Sequence, residues 1–163
     1  MKINKNHKDR LFCLLFGSEE YKDNILSLYN ALCDTSYTDV NDIQIYTIDN
    51  VIYIEMKNDV SILLDSYLHL WEQPRFIQLK LSDAFIHEDK SGDFEWTANM
   101  VNINSGRNDK LLNKCRPLQE YMLLIEAIRY NRTRGMDVEK AVDEAVTYCI
   151  DHNILREFLT KHR

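Results

Sequence analysis

Short runs of β-favouring residues occupy the middle of the chain, and apolar residues at helical spacing lie on both sides of them. Residues 51–57 are dominated by Val, Ile and Tyr, which suit a pleated, half-buried surface. A second apolar run covers residues 60–65, and a third covers residues 67–71 after a turn signal. These runs predict adjacent antiparallel strands at the centre of the fold. Further strands are predicted at residues 43–46, 76–81 and 94–103.

Two helices are predicted before the central strands. Residues 7–16 show a short helical pattern, and its Leu11, Leu14 and Leu15 are expected to face inward. Ser18 has a side chain suited to capping the helix that follows. The beginning of the chain is therefore expected to be helical rather than extended.

Three more helices are predicted in the last third, because apolar residues recur at i, i+3 and i+4 from residue 117 to residue 161. Pro117 suits a first helical turn. Gly135 is expected to end the first of these helices, and Asp137 to cap the second. Asn153 suits a left-handed stop position.

Together these patterns predict an α+β fold with a small, mainly antiparallel sheet. At 163 residues the chain has the size of about one domain. We expect an α+β core over residues 1–103 and a helical region over residues 104–163 packed on it. No residue pattern indicates a repeat or a low-complexity segment.

Charge and cysteine content restrict the function. The net charge of −6 argues against a protein that coats nucleic acid by bulk charge, although a local basic face remains compatible. The four cysteines lie far apart without a C-x-x-C pair, which predicts reduced thiols in a cytoplasmic protein. Cys149 and His152 have a ligand-like spacing but no second pair, so a core cysteine is favoured over zinc. The sequence predicts no leader and no membrane partner.

Acidic residues stand near the ends of the predicted central strands. They are Glu55, Asp59, Asp65 and Glu72. Carboxylates on neighbouring strands are the oxygen ligands that Mg²⁺ uses. Turn and edge chemistry explains the same residues without a metal, and the spacing alone favours that interpretation.

Several short sequence motifs, called words below, occur one after another along nearly the whole chain. The words are Asp9-Arg10-Leu11-Phe12 with Phe16-Gly17, Leu26-Ser27-Leu28-Tyr29-Asn30-Ala31, Met56-Lys57-Asn58-Asp59-Val60-Ser61, Lys80-Leu81-Ser82-Asp83-Ala84-Phe85, Asn102-Ile103-Asn104, Cys115-Arg116-Pro117-Leu118 and Ala141-Val142-Asp143-Glu144-Ala145-Val146. This order resembles the PD-(D/E)XK nuclease family transposases, which are related to the Rpn recombination-promoting nucleases. The resemblance implies a truncated restriction-endonuclease-like core in residues 1–103, a Mg²⁺-dependent DNA endonuclease, and DNA as the partner.

The resemblance also implies a site. Asp59 matches the first catalytic aspartate of the family, and Glu72 falls where the glutamate is expected, which makes both metal ligands. Gln73 stands in for the final motif residue only in a shifted register. A literal nuclease-like pattern, Glu55-Met56-Lys57 with Asp42 or Asp49 upstream, is not the site on this comparison.

The chain departs from the family directly after Glu72. The family continues with a helix and a further core strand, whereas here only residues 73–79 precede the family word at Lys80. This resembles an internal deletion, and Pro74 occupies the third motif position without a side-chain donor. Glu72 is either the family glutamate or a residue from beyond the junction. We therefore expect a degenerate endonuclease with weak or no cleavage, the alternative being a non-catalytic α+β interaction or DNA-binding domain.

Overall fold

The computed structural model describes residues 6–48, 51–56, 62–65, 76–80 and 97–162. The helices are α1 (Asn6–Phe16), α2 (Lys22–Cys33), α3 (Asp109–Lys114), α4 (Arg116–Thr133), α5 (Val138–Asp151) and α6 (Arg156–His162). The strands are β1 (Ile43–Ile48), β2 (Val51–Met56), β3 (Ile62–Asp65), β4 (Phe76–Lys80) and β5 (Thr97–Val101). Helices and antiparallel strands are segregated along the chain, which makes the fold α+β.

The contacts divide the chain into two compact units, one formed by Met1–Leu68 with Leu111–Arg163 and the other by His69–Lys110. Each unit contains antiparallel strands of its own. The division expected from the sequence, after residue 103, separates an α+β core from a helical region. That division stays a prediction.

The first unit holds a three-stranded antiparallel sheet in the order β1-β2-β3. β1 pairs with β2 from Ile43 opposite Met56 to Ile48 opposite Val51, and β2 pairs with β3 from Val51 opposite Asp65 to Ile54 opposite Ile62. Ile52 and Ile54 are completely buried, as residues two apart on one face of a strand can be. The predicted antiparallel pairing within the central segment is confirmed for β2 and β3. The pairing of β1 was not predicted, and the third predicted run, residues 67–71, lies outside the described residues.

Helices supply most of the described core of the first unit. α1 packs on α2 and on β2, α2 packs on α4, and α4, α5 and α6 pack in succession. The ring of Phe12 meets Tyr121 edge-on at 5.6 Å and Phe16 at 4.8 Å, which joins α1 to α4 through aromatic contacts. Such pairs add about 0.5–1.5 kcal/mol beyond the apolar area they bury.

The inward face of α1 differs from the prediction. Phe12, Leu15 and Phe16 are buried, whereas Leu14 is 37% exposed and Leu11 is only half-buried. Residues 12, 15 and 16 share one face because they are three and four apart. Leu14 is rotated from Phe12 by about 200° around the helix axis, so it points away from the core.

The predicted helix boundaries follow local backbone chemistry. Ser18 caps a short 3-10 turn, Glu19–Tyr21, by accepting from the Glu20 amide at 3.3 Å, and α2 begins directly after that turn. Gly135 follows α4 with φ +86° and Asn153 follows α5 with φ +59°. Asp137 accepts from the Lys140 amide at 2.9 Å and caps α5. The predictions for Gly135, Asn153 and Asp137 are confirmed. Ser18 caps the 3-10 turn and not α2, whose N-cap is Tyr21, without a capping side-chain bond.

The second unit contains the pair β4 and β5, antiparallel from Phe76 opposite Val101 to Lys80 opposite Thr97. After β5, the buried Asn102 accepts from the backbone and side-chain amides of Asn104 at 3.0 and 2.8 Å. This Asx-type turn satisfies a polar side chain inside the unit.

Of the helices described, none has both the length and the apolar character needed to cross a bilayer.

Candidate functional site

The residues predicted to form the metal site, Asp59, Glu72 and Gln73, lie outside the described residues, as does Pro74. The predicted closeness of the Asp59 and Glu72 carboxyl groups therefore stays a prediction. The same holds for the roles that the family resemblance implies for them.

The literal nuclease-like pattern is described in part. Glu55 lies in β2 opposite Gln44, and Asp42 directly precedes Ile43, whose partner is Met56. The register therefore brings the backbones of residues 42 and 55 to the same end of the β1–β2 pair. Lys57 and Asp49, the other members of the pattern, fall outside the described ranges.

A groove of about 330 Å³ lies in the described part of the first unit. It lies among the end of α1, the beginning of α2, the first turns of α4 and the connection from α5 to α6. Its walls are both apolar and polar: Leu15, Tyr21, Asn24, Glu120, Leu155 and Phe158. Its volume is at the lower end of the range of small-molecule sites, about 300–1,000 Å³.

Glu120 is the central polar group of this groove. Its side chain is only 16% exposed, while that of its neighbour Arg116 is 76% exposed. One carboxylate oxygen accepts from Arg116 Nε at 2.6 Å, and the other accepts from the Leu155 backbone amide at 2.8 Å. Both carboxylate oxygens thus accept hydrogen bonds, and Glu120 links the first turns of α4 to the turn before α6. With both oxygens occupied, it is poorly suited to act as a general base.

The groove wall opposite Glu120 is a tight turn with unusual backbone angles. Asn153 has φ +59° and Leu155 has φ +47°. The left-handed region is uncommon for a residue as bulky as leucine and costs roughly 1–2 kcal/mol. Burial of the Leu155 side chain and the bond from its amide to Glu120 offset that cost.

Two residues of the groove, Tyr21 and Phe158, also belong to what we call the α6 clasp, formed by Glu20, Tyr21, Phe158, Lys161 and His162. Lys161 Nζ forms an ion pair with Glu20, and Tyr21 Oη lies 3.0 Å from His162 Nε2. The Tyr21 ring meets Phe158 edge-on at 5.3 Å. The hydrogen bond from Lys161 lowers the pKa of Glu20, and the same contact raises the pKa of Lys161.

The two buried cysteines, Cys115 and Cys149, are poor nucleophiles. Burial raises the pKa of Cys115, and it raises the pKa of Cys149 to about 11, with the Glu120 charge as a smaller cause. The Cys115 sulfur accepts from Ser27 Oγ at 3.6 Å. Because the thiolate is the reactive form, both groups are expected to be inert at neutral pH.

A zinc site at Cys149 and His152 is not favoured by the geometry. Cys149 is buried, whereas His152 is exposed and stacks on Tyr148 at a ring separation of 4.0 Å. Within the described ranges, no three His, Cys, Asp or Glu residues lie together as metal ligands would. The prediction of a core cysteine agrees with this placement.

Sequence reasoning did not single out the Glu120 bridge. A signal for half of it was present, since Arg116 and Glu120 are four residues apart and belong to one predicted helix. The other half joins residues that are 35 apart in the sequence, and no local pattern marks that contact.

Searches of protein families, of curated proteins and of solved structures found no match to this chain. The family assignment therefore depends on the order of short words in the sequence.

Proposed function

We propose that this chain is a PD-(D/E)XK-family, transposase-associated DNA endonuclease that has degenerated and retains weak or no metal-dependent cleavage. The observation that carries the proposal is the series of family-like words in the same order along nearly the whole chain. The α+β organisation, with helices before and after an antiparallel sheet, supports it as a truncated restriction-endonuclease-like core. The four cysteines, read as reduced thiols, suit action in the cytoplasm.

In this proposal Asp59 and Glu72 hold a magnesium ion. Both offer carboxylate oxygens, the donor type that Mg²⁺ prefers. When bound, the ion supplies Lewis-acid chemistry at a phosphate oxygen and lowers the pKa of a ligated water. Gln73 offers an amide that could orient that water only if its register shifts by one residue.

Two features argue that cleavage is impaired. Pro74 occupies the third motif position and has no side-chain donor. In other enzymes, the loss of one donor that stabilises the transition state costs on the order of 10²–10³ in rate. In addition, β4 begins at Phe76, so only residues 73–75 separate it from Glu72. Three residues reach at most about 11 Å, which is too short for the additional helix and strand of the family.

The experiment is nicking of supercoiled plasmid DNA with Mg²⁺ or Mn²⁺, using the wild type, Asp59→Ala and a chimera that carries a relative's missing segment. We expect slow or undetectable nicking by the wild type and clear nicking by the chimera, abolished when the chimera also carries Asp59→Ala. Nicking that survives Asp59→Ala would show that the site is wrong. A folded chimera without activity would refute the proposed origin.

The second candidate is a non-catalytic α+β domain that binds DNA or another partner. It is favoured by the chemistry of the described groups, because Glu120 is fully engaged and Cys115 and Cys149 have raised pKa values. DNA binding in EDTA by a chain whose chimera never cleaves would identify this candidate as the function.

A further inference from the structure

The end of α4 is an exception to the acidic character of the chain. Arg129, Arg132 and Arg134 fall within six residues, and no acidic residue occurs from 129 to 136. The whole chain has a net charge of −6. A local cluster of arginines in such a chain creates a positive potential over one small surface, where phosphate groups concentrate.

An exposed aromatic ring lies within this cluster. Tyr130 is 63% exposed, the highest value among the large apolar side chains in the described surface. The Arg134 guanidinium carbon lies 5.7 Å from the centroid of the Tyr130 ring. Arg134 is the C-cap of α4, about one helical turn beyond Tyr130. An aromatic ring beside a guanidinium is the arrangement with which proteins stack an unpaired base and contact its phosphate.

The other two arginines are held more firmly. Arg132 Nη1 donates to the Met136 carbonyl at 2.6 Å, which stabilises the end of α4. Burial lowers the pKa of Arg129, and the nearby Glu126 charge opposes that shift. Complementing the negative end of the helix dipole explains Arg132, but it does not explain a tyrosine ring left in solvent beside Arg134.

Acidic residues follow the arginine cluster at the cap and first turn of α5, but none lies within residues 129–136. Asp137 uses its carboxylate to accept from the Lys140 amide as the cap of α5. Lys140 is exposed, but it lies beside Glu139 and pairs with Glu144 at 3.9 Å, so the first turn of α5 adds no net positive charge.

We propose that residues 129–134 bind single-stranded DNA, with Tyr130 stacking on an unpaired base and Arg134 and Arg132 contacting phosphates. The choice of DNA rests on the proposed function, since the charge and the ring alone specify only a nucleic-acid strand. The surface extends that function by naming where the strand is held outside the metal site.

The test is fluorescence anisotropy in EDTA with a labelled single strand of about 20 nucleotides, longer than the roughly 4–16 that common single-strand-binding folds cover. Tyr130→Ala and Arg134→Gln are compared with the wild type over a salt titration. Arg10→Gln is the matched control, because Arg10 is exposed on α1 and the change in charge is identical. Circular dichroism verifies that each variant is folded.

We expect Tyr130→Ala to weaken binding about tenfold. Arg134→Gln should weaken it and reduce the slope of log K against log salt by about 0.7, as for one lost phosphate contact on a single strand. Arg10→Gln should stay within about twofold of the wild type, because Arg10 belongs to α1 and not to the cluster at residues 129–134.

A wild type that does not bind the strand, or losses for Tyr130→Ala and Arg134→Gln no larger than for Arg10→Gln, would overturn the inference. This readout is independent of the proposed cleavage, because EDTA removes the metal from the assay. The proposed endonuclease activity is tested separately, by the plasmid assay with the chimera.

Discussion

At the residue scale, Glu120 connects parts of the chain that are distant in sequence. Its carboxylate bridges Arg116, at the first turn of α4, to the backbone of Leu155 in the turn before α6. The two bonds differ in character. The Arg116 side chain is largely in solvent. The Leu155 amide belongs to a buried residue, and Glu120 is the acceptor of its hydrogen bond.

Replacing Glu120 with alanine is expected to lower the free energy of unfolding by about 1–3 kcal/mol, the cost of leaving a buried donor such as the Leu155 amide without its partner. Arg116→Ala should cost less than about 1 kcal/mol, because an exposed ion pair contributes little. Urea unfolding followed by circular dichroism measures both.

Glu157→Ala is the control for this pair of variants, since Glu157 lines the same groove and is exposed. An unfolding free energy for Glu120→Ala equal to that of Glu157→Ala would show that the Glu120 bridge does not stabilise the fold.

At the element scale, α5 begins at a residue that can be tested in isolation. Asp137 caps the helix through the Lys140 amide at 2.9 Å and is exposed. Asp137→Ala should lower the free energy of unfolding by about 1 kcal/mol, as the loss of an N-cap does. Thermal and urea unfolding provide the measurement.

Asp151→Ala is the matched control for α5, because it makes the same substitution in the last turn of the helix. A negative charge there is opposed by the helix dipole, so its removal should cost nothing. Equal losses for the two variants would show that the loss at Asp137 does not come from capping.

The α6 clasp should hold α6 most firmly at intermediate pH. The pKa of Glu20 is lowered from 4.5, so its contribution is present above that value and is lost as pH falls through the folded pKa. The pKa of Lys161 is raised from 10.5, so its contribution is present below that value and is lost as pH rises through the folded pKa. Amide chemical shifts of α6 followed by NMR over both limbs record the two transitions.

Lys161→Ala should remove the contribution of Lys161 to the alkaline transition, leaving that of Tyr21, whose pKa burial raises, and should move the acidic transition back toward the ordinary pKa of a glutamate. Lys140→Ala is the control, because the Lys140–Glu144 pair on α5 is longer, at 3.9 Å, and remote from the clasp. Unchanged α6 titration in Lys161→Ala would show that the ion pair does not hold the helix. High salt should weaken the clasp in the wild type, since both side chains are about half exposed.

At the scale of the whole molecule, the proposed loss of activity depends on a missing segment and not on one residue. Pro74→Lys alone should leave plasmid nicking at the wild-type level, because a restored donor is ineffective if the carboxylates are poorly positioned. Inserting the family segment should raise nicking by at least about tenfold. Both are measured in the plasmid assay, with Asp59→Ala in the same background.

Nicking restored by Pro74→Lys alone would contradict this expectation. It would place the defect in the third motif position and leave the remaining framework competent.

Local backbone chemistry could be predicted well from the sequence. The stops at Gly135 and Asn153 and the cap at Asp137 require only a few adjacent residues, and each is present. The antiparallel pairing of β2 and β3 followed from short β-favouring runs separated by a brief connection, whereas the pairing of β1 with β2 was not predicted. The predicted metal ligands Asp59 and Glu72, with Gln73, depend on family word order and remain predictions.

Tertiary packing determined what the local patterns left open. The apolar residues of α1 are compatible with more than one inward face. The face that is buried consists of Phe12, Leu15 and Phe16, and Leu14 is exposed. The sequence by itself determined where most of the described helices and strands lie, because their signals are adjacent residues and a regular period. The Glu120 bridge, the left-handed Leu155 and the α6 clasp were decided only in three dimensions, because each joins residues whose contact no spacing encodes.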